Sequence, residues 1–196
     1  MTGRPLAGPD GRLRCPWAVA GPDLLHYHDQ EWGRPVRDDR GLYERIVLEA
    51  FQSGLSWRTI LRKRDAFRRA FDGFRIDAVA AYGPDDVERL LADPGIIRNR
   101  AKIEAAVANA RAAQLLPGGL AALIGRYAPA SAPAPVVGED VPTATKESTA
   151  LAKELKRKGF RFVGPTNVYA TMQAVGLVND HLADCFVRAE AGPGDR

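Results

Sequence analysis

Only two of the 196 residues are cysteine, Cys15 and Cys185, and they stand near opposite ends of the chain. Each has a histidine within reach: His28 follows Cys15, and His181 precedes Cys185 by four residues. The stretch Val178–Phe186 reads as a helix. A four-residue spacing there puts His181 and Cys185 on one face, one turn apart, as two ligands of one metal require. Cys15 and His28 offer a second pair, and the four make a Cys2His2 set that tetrahedral zinc accepts. The alternative is two buried thiols beside a coincidental spacing. Four protein ligands leave no open position for water. Such a site is structural, and it would tie the N-terminal segment to the last helix.

The rest of the pattern is helical. Leu42, Ile46, Val47 and Ala50 recur at three- and four-residue spacing between Asp38 and Trp57, with Asp38 or Asp39 as cap. Further helices are expected at Ser56–Phe71, Ile76–Ala81, Pro84–Leu91, Asn99–Gln114, Leu120–Tyr127, Thr145–Lys158 and Thr166–Val175. Only Phe160–Val163 has a strand-like look, so the fold class is all-α. One helical domain over 14–187 is expected, with loose tails at 1–13 and 188–196 and an Ala/Pro-rich excursion at 128–142. No apolar run reaches the roughly 20 residues of a membrane span. Met1–Leu13 lacks the apolar core of a secretory signal, so a cytoplasmic protein is expected, where the cysteines would not normally form a disulfide.

Between two of the helices lies the run Asp93-Pro94-Gly95-Ile96-Ile97-Arg98-Asn99-Arg100-Ala101-Lys102-Ile103. A Pro-Gly-apolar turn that opens a helix presents backbone N–H groups on which a phosphate can sit. That makes Gly95, Ile96 and Ile97, with the cations Arg98, Arg100 and Lys102, candidates for gripping DNA. The run resembles the helix-hairpin-helix element of base-excision glycosylases, with Ile97 in place of the usual second glycine; an ordinary helical turn is the other reading. A net charge of +4 and 22 Arg against 6 Lys permit a polyanionic partner without requiring one.

Taken in order, several motifs are similar to bacterial 3-methyladenine DNA glycosylase I, of the helix-hairpin-helix superfamily. They are Arg14-Cys15-Pro16-Trp17, Tyr27-His28-Asp29-Gln30-Glu31-Trp32-Gly33, Leu48-Glu49-Ala50-Phe51-Gln52-Ser53-Gly54-Leu55-Ser56-Trp57, the hairpin, Lys158-Gly159-Phe160-Arg161-Phe162-Val163-Gly164, and Gly176-Leu177-Val178-Asn179-Asp180-His181. The resemblance spans Arg14 to Phe186. It implies a helix-hairpin-helix glycosylase-like bundle whose ends are joined by one structural Zn2+ on Cys15, His28, His181 and Cys185.

The resemblance also implies a base pocket at Tyr27, Glu49 and Trp57, with Glu49 the catalytic carboxylate. Trp57 would stack on an extruded base, which is worth about 1–3 kcal/mol, and a cationic methylated ring is drawn further to a π face. An ionised Glu49 would accept from the adenine amino group and favour the positive base, and Tyr27 adds a hydroxyl at the edge. Leu24 departs from the pattern, because relatives can carry a second pocket tyrosine there. No Asp or Glu occurs from Ala105 to Gly138, where many such glycosylases place a carboxylate after the hairpin. That absence fits hydrolysis of an already weakened bond after base flipping. No lysine is placed as an amine nucleophile, so no lyase step is expected. The implied partner is double-stranded DNA with alkylated bases, engaged by a monomer with no membrane association. The competing reading is a zinc-stabilised DNA-binding module without chemistry. A zinc hydrolase is disfavoured by the closed ligand set.

Overall fold

The computed structural model describes residues 3–130 and 133–191. A short antiparallel pair, β1 (Leu6–Ala7) with β2 (Leu13–Arg14), precedes α1 (Pro22–Gln30), α2 (Asp39–Gln52) and α3 (Trp57–Ala70). Then come α4 (Ile76–Ala80), α5 (Pro84–Ala92), α6 (Arg100–Gln114), α7 (Gly119–Gly125), α8 (Lys146–Arg157), α9 (Pro165–Ala174) and α10 (Phe186–Ala191). The fold is mostly helical, as the periodicity implies. No helix among the described residues is long and apolar enough to cross a membrane.

Helix α2 is the central element. Asp38 caps it by accepting from the Gly41 N–H. Every residue from Ile46 to Phe51 is buried, so the helix is enclosed on all sides rather than amphipathic. Phe51, Phe67 and Phe71 pack ring on ring between α2 and α3. The alanines of α6 (Ala105, Ala106, Ala110, Ala113) are buried and small, which lets neighbouring helices approach closely. The arginines of α3 mostly clamp α1 and α2: Arg58 and Arg62 reach Asp23, Arg64 reaches Glu31, and Arg68 reaches Glu44.

Five expectations change. Helix α1 was not anticipated, although Pro22 at the first helical position and Asp23 in the first turn are a helix-start signal. The segment 3–13 is not a loose tail. Its hairpin ends on the buried Arg14, which pairs with Asp10 and Asp29, while Arg12 and Arg14 lie over the Phe186 ring. The 128–142 stretch, outside the undescribed residues 131 and 132, is a strap: the Gly138 N–H donates to the Gly3 carbonyl, and the Ala183 N–H donates to the Pro135 carbonyl. Phe160–Val163 is an irregular turn. The tail expected at 188–196 begins as part of α10, and residues 192–196 lie outside the described chain.

The expected helix Val178–Phe186 is also absent, because α9 terminates firmly. Gly176, at φ +69°, sits in the left-handed region, and the N–H groups of Gly176 and Leu177 bond back to the carbonyls of Gln173 and Met172. This is a Schellman closure. Residues beyond it run in turns, and Cys185 enters through a bond from its N–H to the Leu182 carbonyl. At Gly176 a Cβ would lie 2.7–2.8 Å from backbone atoms of Gly33, Arg34 and Pro35. At Gly33 it would lie 2.8 Å from the His181 ring. These two glycines let the N-terminal segment close on the chain after α9. Gly176→Ala should therefore cost at least about 2 kcal/mol, from left-handed strain plus overlap. That amounts to roughly 4–8 °C in a thermal melt; an unchanged melt would mean the contact yields easily.

Candidate active site and metal centre

Cys15, His28, His181 and Cys185 converge, all buried, with one donor atom from each within 4.8 Å of all the others. Cys185 Sγ lies 3.4 Å from His28 Nε2 and 3.7 Å from His181 Nδ1. The two histidine nitrogens are 3.3 Å apart, and Cys15 Sγ is 3.9 Å from His181 Nδ1. A tetrahedron with Zn–N near 2.0–2.1 Å and Zn–S near 2.3 Å has edges of about 3.3–3.8 Å, so the donor set fits that ion. The surroundings fit as well. His28 Nδ1 faces Asp29 Oδ1 at 2.8 Å, and His181 Nε2 faces the Trp32 carbonyl at 3.1 Å. Those partners take the outer N–H of each ring and leave the inner nitrogen as a lone pair, the usual arrangement around ligating histidines. The Leu182 N–H points at Cys15 Sγ. The two thiols are set apart: Cys15 is pushed up by its hydrogen bond to Cys185 and by burial, and Cys185 is pulled down by that same bond. The His181–Cys185 pairing anticipated on one helix is thus made by turns.

Beside this cluster lies a cavity of about 310 Å³, lined by Trp17, Leu24, Tyr27, Trp32, Glu49, Gln52, Trp57, Ala170 and Gln173. Its size falls at the lower end for small-molecule sites. All three sequence-derived pocket residues are brought together here. Glu49 comes from the last turn of α2 and Trp57 from the first residue of α3, aimed into one space by the turn at Ser53–Ser56. Ser56 caps α3 by accepting from the Thr59 N–H. The Tyr27 ring lies 5.3 Å from that of Trp57. The aromatic wall continues through Trp17, 6.3 Å from Tyr27, to Trp32, 5.1 Å from Trp17 and edge-on. Trp32 in turn lies 4.6 Å from the His181 ring. Pocket wall and ligand cluster are one aromatic stack. Leu24 is buried in the wall, where it offers no hydroxyl.

Glu49 is 7 % exposed, and its carboxyl makes no hydrogen bond or ion pair among the described residues. Burial pushes its pKa up to about 8, with the charge of Arg45 pulling weakly the other way. Arg45 is itself paired with Glu44 and Glu31. Burial thus favours the protonated form of this carboxyl, and the ionised Glu49 that the resemblance implies calls for a positive charge beside it. Burial, and next the nearby Glu49, push the Tyr27 hydroxyl up, so it stays a neutral phenol.

The Asp93–Asn99 connection between α5 and α6 supports only part of the anticipated phosphate grip. The Gly95 N–H is taken by Asp93 Oδ1 at 2.7 Å. Ile96 is a core side chain. Arg100 pairs with Glu88 at 2.7 Å. Lys102 is buried, and its ammonium caps α2 through the carbonyls of Phe51 and Ser53 at 2.9 and 2.6 Å. Lys102 is thus a structural cation and not a free one. The N–H groups of Ile97 and Arg98 and the exposed Arg98 side chain carry no bond among the described residues. Lys63 adds charge, since its ammonium rests on the carbonyls of Pro94 and Gly95.

Sequence reasoning did not single out Trp17, Trp32, Gln52, Ala170 or Gln173 as pocket residues. Trp17 and Trp32 had a signal, because each sits within four residues of a cysteine or histidine ligand candidate. Gln173 and Ala170 had none, since a helix placed in the core gives no hint which residue borders a cavity.

The model of the methyladenine glycosylase family matches residues 17–188. DNA-3-methyladenine glycosylase 1 of Escherichia coli K12 is 44% identical over 178 residues, 88% of this chain and 95% of that protein. A crystal structure of a 3-methyladenine DNA glycosylase I superposes with a TM-score of 0.85 at 44% identity, covering 88% of this chain and 98% of the other. The Staphylococcus aureus 3-methyladenine DNA glycosylase I, solved for its recognition of 3-methyladenine, matches with a TM-score of 0.83 at 34% identity, over 89% and 95% of the two chains.

The burial of Glu49 carries its own pH signature. A carboxyl whose pKa rises from 4.5 to about 8 on folding binds its proton more tightly in the folded chain. Its contribution to stability is complete below the unfolded value and is lost as pH rises through the window up to about 8. Denaturant melts at pH 5, 6.5 and 8 should show Glu49→Gln gaining stability relative to wild type as pH rises. A constant difference across that range would mean the carboxyl is already ionised.

Proposed function

The chain belongs to the methyladenine glycosylase family, and on that premise we propose how its pocket, hairpin and chain ends serve the reaction. It is a DNA-3-methyladenine glycosylase, a base-excision repair hydrolase that cleaves the N-glycosidic bond of 3-methyladenine in DNA. One observation ties that activity to particular atoms: a buried carboxyl, that of Glu49, without a protein partner in an aromatic cavity the size of a small ligand.

The damaged nucleotide swings out of the duplex, which costs a few kcal/mol and less for a poorly stacked base. Its base enters the cavity against the aromatic wall that Trp57 and Tyr27 form together. N3-methylation leaves the ring cationic while it is bound to the sugar, and the aromatic faces attract that charge. Glu49 answers the same charge by giving up its proton to solvent, so the carboxylate forms where the cation arrives and accepts from the amino group. Unmodified adenine brings no charge and leaves Glu49 protonated. The bond breaks with its electron pair going to the base, which departs neutral, and water adds to the sugar cation and releases a proton to solvent. No lysine lines the cavity, and Lys63 and Lys102 are bound to backbone carbonyls, which supports a hydrolysis with no lyase step. This reading exceeds that of a DNA-binding module without chemistry, which gives the cavity no task.

Double-stranded DNA docks with phosphates at the free amides of Ile97 and Arg98 and at the Arg98 side chain, in the manner of a helix-hairpin-helix. The protein acts as a monomer in the cytoplasm. One structural zinc per chain is held by Cys15, His28, His181 and Cys185. It supplies no chemistry to the bond that breaks and fixes the wall that carries Trp17, Tyr27 and Trp32.

Two measurements test these assignments. In single-turnover release of 3-methyladenine from methylated duplex, Trp57→Ala should lose about 10- to 100-fold, the value of one stacked base, and should bind free 3-methyladenine more weakly. Glu49→Gln should lose a similar factor and discriminate less against adenine; wild-type rates in both variants would place recognition elsewhere. For the metal, elemental analysis should find one zinc per chain. Cys185→Ser should lose it and melt roughly 10 °C lower, since closed zinc sites contribute to folding directly. Metal-free protein with an unchanged melt would remove zinc from the structure.

A further inference from the structure

The connection between α8 and α9 turns outward at Arg161 and Phe162, and both side chains are exposed, Phe162 to 41 %. The turn is held with unusual care. Asn109, fully buried in α6, commits its whole amide to Arg161: its Nδ2 donates to the Arg161 carbonyl at 3.1 Å, and its Oδ1 accepts from the Arg161 N–H at 2.7 Å. Asn167, in the first turn of α9, donates to the Phe162 carbonyl at 3.4 Å and to Ser53 Oγ at 2.8 Å. Phe162 itself has φ +55°, in the left-handed region that bulky L residues avoid. Glycine would hold the same turn without strain. A large apolar ring stands there instead, and unlike Phe74, which holds a similar φ of +59° buried in the core, it faces solvent.

Position narrows the use. Ser53 opens the turn that joins Gln52 and Trp57, both on the cavity, and its carbonyl receives Lys102 from the start of α6. Helix α9, on which Asn167 sits, carries Ala170 and Gln173 into the same cavity. Tip, cavity rim and the helix after the hairpin are therefore braced on one residue. The guanidinium of Arg161 makes no ion pair among the described residues, whereas Arg58, Arg62, Arg64 and Arg68 are all paired.

We propose that the Arg161–Phe162 tip is a second DNA contact, separate from the hairpin: Phe162 packs on an exposed base or sugar beside the extruded nucleotide, and Arg161 pairs with a backbone phosphate. An aromatic face suits this task, because stacking tolerates any base and damage arises in any sequence. The proposal rests on the reading of the chain as a glycosylase.

The test uses the full chain with Phe162→Gly, Phe162→Trp and Arg161→Ala. The probe is a duplex carrying one tetrahydrofuran abasic analogue, titrated at several salt concentrations. Free 3-methyladenine binding and thermal melts are measured in parallel. Phe162→Gly should melt at or above the wild-type temperature, bind the free base as wild type does, and bind the duplex about tenfold more weakly. Phe162→Trp, which keeps a stacking face, should retain duplex affinity even if the glycine variant does not fold. Arg161→Ala should reduce the slope of log affinity against log salt by about one. Wild-type duplex affinity and salt slope in both the glycine and alanine variants would overturn the contact. So would a parallel loss of free-base binding, which would show the tip acting through the cavity. A wild-type protein that released no 3-methyladenine would instead overturn the glycosylase reading, and that is read before any variant is compared.

Discussion

Everything at the active site depends on the N-terminal segment lying against the chain that follows α9. Four donor atoms within 4.8 Å mark where the two meet. The segment contributes Trp17, Leu24, Tyr27 and Trp32, four of the nine cavity residues, so the closure builds nearly half of the cavity wall. The closure is secured at several levels. Gly33 and Gly176 permit backbone contact. Asp29 orients His28 while Arg14 holds Asp29, and Arg58 and Arg62 pull α1 onto α3 through Asp23. Local geometry, ion pairing and aromatic packing agree on one arrangement, and such agreement across levels makes a site stiff.

The pocket then sets a desolvated carboxyl against π faces. In an empty cavity the two effects oppose each other, since burial disfavours the charge that would recognise a cation. Burial is the larger effect, and it raises the Glu49 pKa to about 8. A ligand that carries its own positive charge reverses the balance, because it pays for ionisation where a neutral purine cannot. The same burial that weakens Glu49 as a standing anion makes it discriminating.

Much of this was legible in the chain. Helix positions followed from apolar spacing and capping, as at Asp38 and Ser56, and the cysteine and histidine positions pointed to one cluster. Legibility failed where a local signal competed with a tertiary one. The run after Gly176 looks helical by composition, yet the left-handed glycine ends α9 and the ligands approach through turns. Lys102 and Arg100 look free in a basic hairpin, but their partners, the carbonyls of Phe51 and Ser53 and the carboxylate of Glu88, lie far away in sequence or on a neighbouring helix. Nothing in a one-dimensional pattern says that Asn109 will hold Arg161.

The fate of the arginines bears on how the enzyme finds its target. Twenty-two of them permit a polyanionic partner, yet many are paired within the protein. Arg14, Arg58, Arg62, Arg64, Arg68 and Arg100 face carboxylates, and Arg111 holds the carbonyls of Ala80 and Tyr82. With those charges paired and a net charge of only +4, the general attraction to DNA is moderated. A repair enzyme gains from that balance. Tight electrostatic binding would hold it on undamaged duplex, while a few directed contacts leave the choice of site to the pocket. In the mechanism proposed above, selectivity then rests on whether a base leaves the stack and carries the charge that ionises Glu49.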